Sequence, residues 1–160
     1  MPTNHILIDS NIWYFAYIIP KDEEFAEIHH RAARFLAEKL GDINIVIGIS
    51  LYQVAEILEL LRKGSLPGNI RQDILESFKT PKFRIADLHL ELIESAFTKS
   101  AASGIHLYDY LTAPPLAGTV TEIYSADDHF QHSDFTSLAQ VTNPLSPWIL
   151  REGRLPSKTE

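Results

Sequence analysis

Cysteine is missing altogether from the 160 residues. Disulfides and thiolate-bound metals are therefore excluded outright. Also missing is any apolar run approaching the roughly 18 residues that a membrane span requires, so no membrane is expected among the partners. The first residues hold no basic stretch leading into a long apolar segment, so no signal peptide is expected. Together these absences point to a cytoplasmic protein. Positive charge is scarce in one place: Ala101 to Leu150 contains no Lys or Arg, yet holds Asp109, Glu122, Asp127, Asp128 and Asp134. Eleven of the 14 basic residues lie between Lys21 and Lys99, and the net charge is −7. An acidic total argues against a plain nucleic-acid binder. The uneven distribution allows an acidic pole that takes up divalent cations, with basic residues elsewhere to hold a polyanion. The plain alternative is an ordinary acidic surface.

What is present is an ordinary globular composition, 45% hydrophobic and 22% charged. The length suits one domain, over residues 1–150, followed by a flexible polar tail over 151–160. Ile6-Leu7-Ile8 is an unbroken apolar run of the kind found in a strand buried on both faces. An aromatic helix follows from Asn11 to Tyr17 and stops before Pro20. Asp22-Glu23-Glu24 supply negative charge at the start of a second helix that runs to Gly41. Ile43 to Ile49 reads as the second strand. Ser50 and Gln53 form a capping-box pattern that starts a helix at Leu51, ending at Gly64. Asn69 is expected to cap a helix over 70–78. Phe83 to Ala86 is the third strand, and Asp87 is expected to cap a helix from Leu88 to Ser103 with Leu92, Ile93, Ala96 and Phe97 inward. Asp109 to Ala113 is a short helix broken by Pro114-Pro115. Thr119 to Tyr124 is the fourth strand, followed by a short helical turn near Phe135 and a last strand near Val141. Strands alternating with helices predict a three-layer α/β/α domain with a central parallel sheet.

Three Asp stand at junctions of these elements and one Glu lies one turn into a helix. Asp9 ends the first strand, where ligand sites form in open α/β sheets. Glu56 lies one turn into the helix after the second strand, Asp109 opens a short helix, and Asp127 follows the fourth strand. Each has a plain reading: Asp9 and Asp109 as helix caps, Glu56 as part of a solvated face, Asp127 as a turn residue beside Asp128. On a helical wheel Glu56 and Glu59 are equivalent. Gathered in one place, the four would suit a hard cation such as Mg2+ or Mn2+, which prefers oxygen ligands. His129 and His132 beside Asp127 and Asp128 suggest zinc, but are expected to flank the turn without ligating.

The order and surroundings of the acids resemble the PIN-domain ribonucleases, the family that includes VapC-type toxins. The matching stretches are Ile6-Leu7-Ile8-Asp9-Ser10-Asn11, Val54-Ala55-Glu56-Ile57-Leu58, Tyr108-Asp109-Tyr110-Leu111 and Ser125-Ala126-Asp127-Asp128-His129-Phe130. They span about residues 5–145. The resemblance favours Glu56 over Glu59 and, by the spacing to Phe130, Asp127 over Asp128. Two features depart from the family: Pro114-Pro115 shorten the helix after Asp109, and the segment from Tyr17 to Gly41 is long. The resemblance implies a PIN-like fold and cleavage of RNA with one or two Mg2+ or Mn2+ ions held by Asp9, Glu56, Asp109 and Asp127. Ser10, Asn11, Ser125 and Asp128 would stand behind these ligands and orient them. Arg62, Lys63, Lys82 and Arg84, with Arg71 and Lys79, are the pool from which phosphate partners are expected. An antitoxin protein and a second copy of the chain are the expected partners, with Trp13-Tyr14-Phe15 and the helix after Asp22 as a contact surface.

Two rival readings differ in class. A phosphohydrolase that uses an aspartyl phosphate would want an acid at position 11, which is Asn, and a receiver domain would want a Lys after the last strand, where there is none. A catalytically silent PIN-like module that binds protein or RNA would be expected to lose acids, and all four are present.

Overall fold

The computed structural model describes residues 3–149 and Leu155. The tail expected from Arg151 lies outside the described residues, apart from Leu155, which packs on the core. Five strands form one parallel sheet: β1 (Asn4–Ile8), β2 (Ile45–Ser50), β3 (Phe83–Ala86), β4 (Glu122–Tyr124) and β5 (Gln140–Thr142). Their spatial order is β3-β2-β1-β4-β5. In β1, Asn4 lies opposite Ile45 of β2 and Ile8 opposite Tyr124 of β4. The chain therefore winds outward from β1 to β3, returns to the other side of β1, and winds outward again to β5. Strand order reverses between β1 and β4, and a crevice is expected at the carboxyl ends of those two strands.

Helices cover both faces, giving the three layers α/β/α. Successive side chains of β1 point to opposite faces. Ile6 and Ile8 face a layer made by α1 (Ser10–Tyr17), α2 (Ala26–Gly41), α3 (Leu51–Lys63) and α4 (Gly68–Phe78). Leu7 faces the other layer, made by α5 (Leu90–Ser103), α6 (Asp109–Thr112), α7 (Ser133–Thr136) and the 3-10 turns at Pro114–Leu116 and Asp128–Gln131. All three are essentially unexposed. Each contributes about 1.5–3 kcal/mol by leaving water, so the apolar run is stable only as a strand covered on both sides. Gly48 of β2 faces the second layer, where a Cβ would lie 2.9 Å from Val120 Cγ1 and 3.2 Å from Leu116 Cδ2. The turn after α6 comes that close to the sheet because Gly48 has no side chain.

The structure departs from the sequence reading at several boundaries. β2 starts at Ile45 and leaves Ile43 exposed, and β4 starts at Glu122. Asn69 lies inside α4, whose cap position is Pro67. Asp87 caps nothing: α5 begins at Leu90 after His89. Phe97, expected inward, is 69% exposed. The inward line of α5 passes through Ile93, Ala96, Ser100 and Ser103, whose hydroxyls bond Ile105 O and Tyr110 Oη. Counting apolar residues alone misplaces that line, because its lower half is serine. Trp13, expected at a contact surface, is buried and packs edge-on against Phe78. Among the described residues no helix is long and apolar enough to cross a membrane.

Candidate active site

The crevice between β1 and β4 holds the acids. Asp9 follows β1 and is the N-cap of α1, its Oδ1 accepting from Ser10 N–H at 2.8 Å. Its backbone N–H donates to Tyr124 O at 2.8 Å, extending the β1–β4 pairing to the edge of the crevice. Its Oδ2 accepts from the Ser125 hydroxyl at 2.7 Å. Asp9 thus caps a helix and still has lone pairs for a further partner, since an ionised carboxylate offers about four acceptor sites. Asp9, Ser10 and Ser125 are all buried.

Glu56 comes from the second turn of α3. The Ser10 hydroxyl donates to its Oε1, and the Tyr52 hydroxyl donates to its Oε2 at 2.7 Å. Glu59, its rival on the helical wheel, is exposed and bound by Arg62 through both oxygens, at 2.6 and 2.7 Å. The helix is held against β1 by buried Gln53, whose Nε2 donates to Ile8 O at 2.7 Å. Ser50 caps it as the sequence implies, accepting from Gln53 N–H at 3.1 Å.

Asp109 and Asp127 approach from the other layer. Asp127 precedes the Asp128–Gln131 turn and caps it, accepting from His129 N–H at 2.9 Å, while its own N–H donates to Ser125 Oγ at 3.0 Å. Asp109 opens α6. Its Oδ2 meets His129 Nδ1 at 2.8 Å, and that nitrogen is 3.6 Å from Asp127 Oδ1. Asp9, Glu56, Asp109 and Asp127 all line one cleft of about 310 Å³, whereas Asp128 does not line it. Pro114-Pro115 do end α6 early, yet Asp109 still reaches the cleft, because its place depends on the start of that helix.

The electrostatics are those of crowded carboxylates, offset in part by His129 beside Asp109 and Asp127. The Asp9 carboxyl is pushed well above its usual range by burial, then by the charges of Asp109, Asp127 and Glu56. Asp127 is pushed up to about 6, mainly by burial. Glu56 is raised by burial, against the bonds from Ser10 and Tyr52. His129 is raised by its bond to Asp109. Ionised acids this close are costly unless a cation joins them.

The donor set fits a divalent cation. It is rich in carboxylate oxygen, the ligand type that Mg2+ and Mn2+ favour. One ligand atom each from Asp109, Asp127 and His129 can be chosen so that all lie within 4.8 Å of one another, a group that includes neither Asp9 nor Glu56. Asn11 Oδ1, on a residue that lines the cleft, is buried with no hydrogen-bond partner among the described residues. A buried acceptor in that condition wants a donor or a cation.

The basic pool divides. Lys82 drops out: its Nζ donates to Asp42 O and Ile45 O at 2.6 and 2.8 Å, at the amino end of β2, the opposite end of the sheet from Asp9. Arg62 is engaged with Glu59, and Arg84 is exposed on edge strand β3. Arg71 bonds Leu66 O and Lys79 bonds Glu76. Lys63 is better placed, for it lines a larger hollow of about 550 Å³ that shares Tyr14 and Phe15 with the acid cleft. Lys21 lines the same hollow and was not among the expected residues. Two further residues escape the sequence reading. His129, expected only to flank its turn, is buried against Asp109. Tyr52 carries a signal that was there to find: it stands four residues before Glu56 on one helix, the spacing at which side chains meet.

The three-layer parallel α/β fold is shared with solved structures of toxins. The solved structure of VapC20 from Mycobacterium tuberculosis, described as a toxin that cleaves the sarcin–ricin loop, matches with a TM-score of 0.61. The match has 16% identity and covers 79% of this chain and 92% of that one. VapBC2 from Rickettsia felis, solved bound to a DNA fragment from its promoter, matches with a TM-score of 0.53 and 19% identity over 87% of this chain and 98% of that one. The chain has the fold of VapC toxins, the PIN-like fold that its four acid motifs imply. No protein-family model matches the chain, and no curated protein matches it.

Proposed function

We propose that this protein is a metal-dependent endoribonuclease and the toxic member of a toxin–antitoxin pair. One observation carries the reading: Asp9, Glu56, Asp109 and Asp127, far apart in sequence, line a single cleft at the carboxyl ends of β1 and β4. The likeness to a toxin described as cleaving the sarcin–ricin loop supports RNA as the substrate class. The likeness to a toxin solved with its VapB partner supports an antitoxin.

In this reading the four acids hold Mg2+ or Mn2+. The bound ion supplies Lewis-acid activation of water and offsets the charge that grows on the phosphate. The chain's own groups fix the ligands. Ser125 holds Asp9, Ser10 and Tyr52 hold Glu56 from its two oxygens, and His129 holds Asp109. Ligands locked this way need no rearrangement when the substrate arrives. Asn11 offers its free oxygen to the same space, and Asp128 stands beside Asp127 without entering it. Lys63, with Lys21, faces the phosphates that lead away from the cleft. Water adds to phosphorus, the bond to the 3′ oxygen breaks, and that oxygen takes up a proton. The products carry 5′-phosphate and 3′-hydroxyl ends. The protein acts as a homodimer in the cytoplasm.

The test is cleavage of RNA by the full chain with Mg2+ or Mn2+, beside Asp9→Asn and beside a chelator. Cleavage by the wild type alone, lost in chelator, is expected. Equal cleavage by the wild type and Asp9→Asn contradicts the proposal.

A further inference from the structure

The Tyr52 ring lies parallel to that of Tyr108, at 3° between planes and 5.3 Å between centroids. Tyr52 is anchored, because its hydroxyl donates to Glu56 Oε2. Tyr108 immediately precedes Asp109 and is 56% exposed, although one of its faces is covered by Tyr52. Its exposed side chain thus neighbours Asp109, which lines the acid cleft. A large aromatic ring in water at such a point has no role in the core, which Leu111 and buried Tyr110 serve from the short helix that follows it. The pair is a rigid, two-ring platform whose lower ring is tied to one candidate ligand and whose upper ring adjoins another.

We propose that Tyr108, backed by Tyr52, is a stacking subsite for one nucleobase of a single-stranded RNA, next to the phosphate held at the acid cleft. It rests on the nuclease reading for the position of that phosphate. Three arguments favour a base over another occupant. Single-stranded nucleic acid presents flat π-faces, and proteins that bind it pair aromatic rings with a charged track for the backbone. Offset-parallel stacking is the geometry this pair already adopts, so a base extends an existing stack. No ring motion is needed, because the bond from Tyr52 to Glu56 fixes the lower ring before binding. The subsite accepts any base, and purines, with the larger face, bind more tightly than pyrimidines.

Short single-stranded RNAs carrying 2-aminopurine at one position in turn are the probe, bound to the full chain in the cleavage-silent Asp127→Asn background with Mn2+ raised until the weakened site is saturated. Fluorescence of 2-aminopurine falls when the base stacks. One position in the strand is expected to be quenched. Tyr108→Leu, which keeps an apolar contact with Tyr52, is expected to abolish that quenching and weaken binding between about fivefold and about a hundredfold, the range for one base–aromatic stack. Tyr108→Trp is expected to keep both. A merely structural role for Tyr108 would move the melting temperature and leave the quenching in place. Unchanged quenching and affinity in Tyr108→Leu overturn the subsite, as does the absence of any quenched position with the Tyr108 ring intact. The two readings fail separately. Stacking by a chain that cleaves no RNA removes the nuclease and keeps the subsite; cleavage by a chain whose Tyr108→Leu variant stacks normally does the reverse.

Discussion

Asp9 shows how one residue serves fold and chemistry together. It caps α1, accepts from Ser125, and lies buried among three other acids that raise its pKa. Removing its charge while keeping its shape should therefore separate function from stability. Asp9→Asn is expected to end RNA cleavage and to leave the metal-free melting temperature equal or higher, because a repelled buried charge is gone. A scan in chelator checks this, and a clear fall in melting temperature would contradict it. His129→Ala leaves Asp109 without its 2.8 Å partner; a loss of about 10- to 100-fold in Mn2+ affinity is expected, as for other groups that orient metal ligands. Isothermal titration reads that loss, and unchanged affinity would mean that Asp109 is held by its helix alone. The three aspartates stood out as candidates in the sequence because each stands where one element gives way to the next, whereas Glu56, inside α3, was separable from Glu59 only by the family resemblance. His129 did not stand out, since nothing in Asp127-Asp128-His129 says that the histidine is buried along with Phe130.

At the scale of elements, the site depends on how closely the layers approach the sheet. Gly48 lets Leu116 and Val120 lie on β2. Gly48→Ala is expected to push the turn after α6 away and to destabilise the fold by about 1–3 kcal/mol, as overpacking does. Urea denaturation measures it, and no change would mean that the turn yields freely. β1, α3 and their junctions could be read from sequence: an unbroken apolar run and a capping box each have one physical solution. α5 and α4 could not be read as well. The inward line of α5 includes serines that are satisfied by hydrogen bonds, and α4 starts from a Pro-Gly pair before the Asn that looks like its cap.

For the whole molecule, the acidic pole has a cost that depends on pH. Asp127 titrates near 3.8 in the unfolded chain and at about 6 in the fold, and Asp9, Glu56 and His129 are raised as well. Between those limits the folded chain binds more protons than the unfolded chain. The stabilisation is fully present at low pH, below the unfolded value, and is lost as pH rises through the folded value. For Asp127 it amounts to about 1–2 kcal/mol after discounting for solvent. The metal-free chain is thus expected to melt at a lower temperature at pH 7.5 than at pH 5.5, and Mn2+ is expected to close the gap by binding the folded state alone. A melting temperature that rises over the same interval without metal would contradict the crowding of acids described here.

The most direct measurement titrates Mn2+ into the wild type and into Asp9→Asn, Glu56→Gln, Asp109→Asn and Asp127→Asn, each also assayed on RNA. All four substitutions are expected to weaken Mn2+ binding and to abolish cleavage, while Glu59→Gln changes neither. A substitution at any of the four cleft acids that binds Mn2+ and cleaves RNA as the wild type does would contradict a shared four-carboxylate centre.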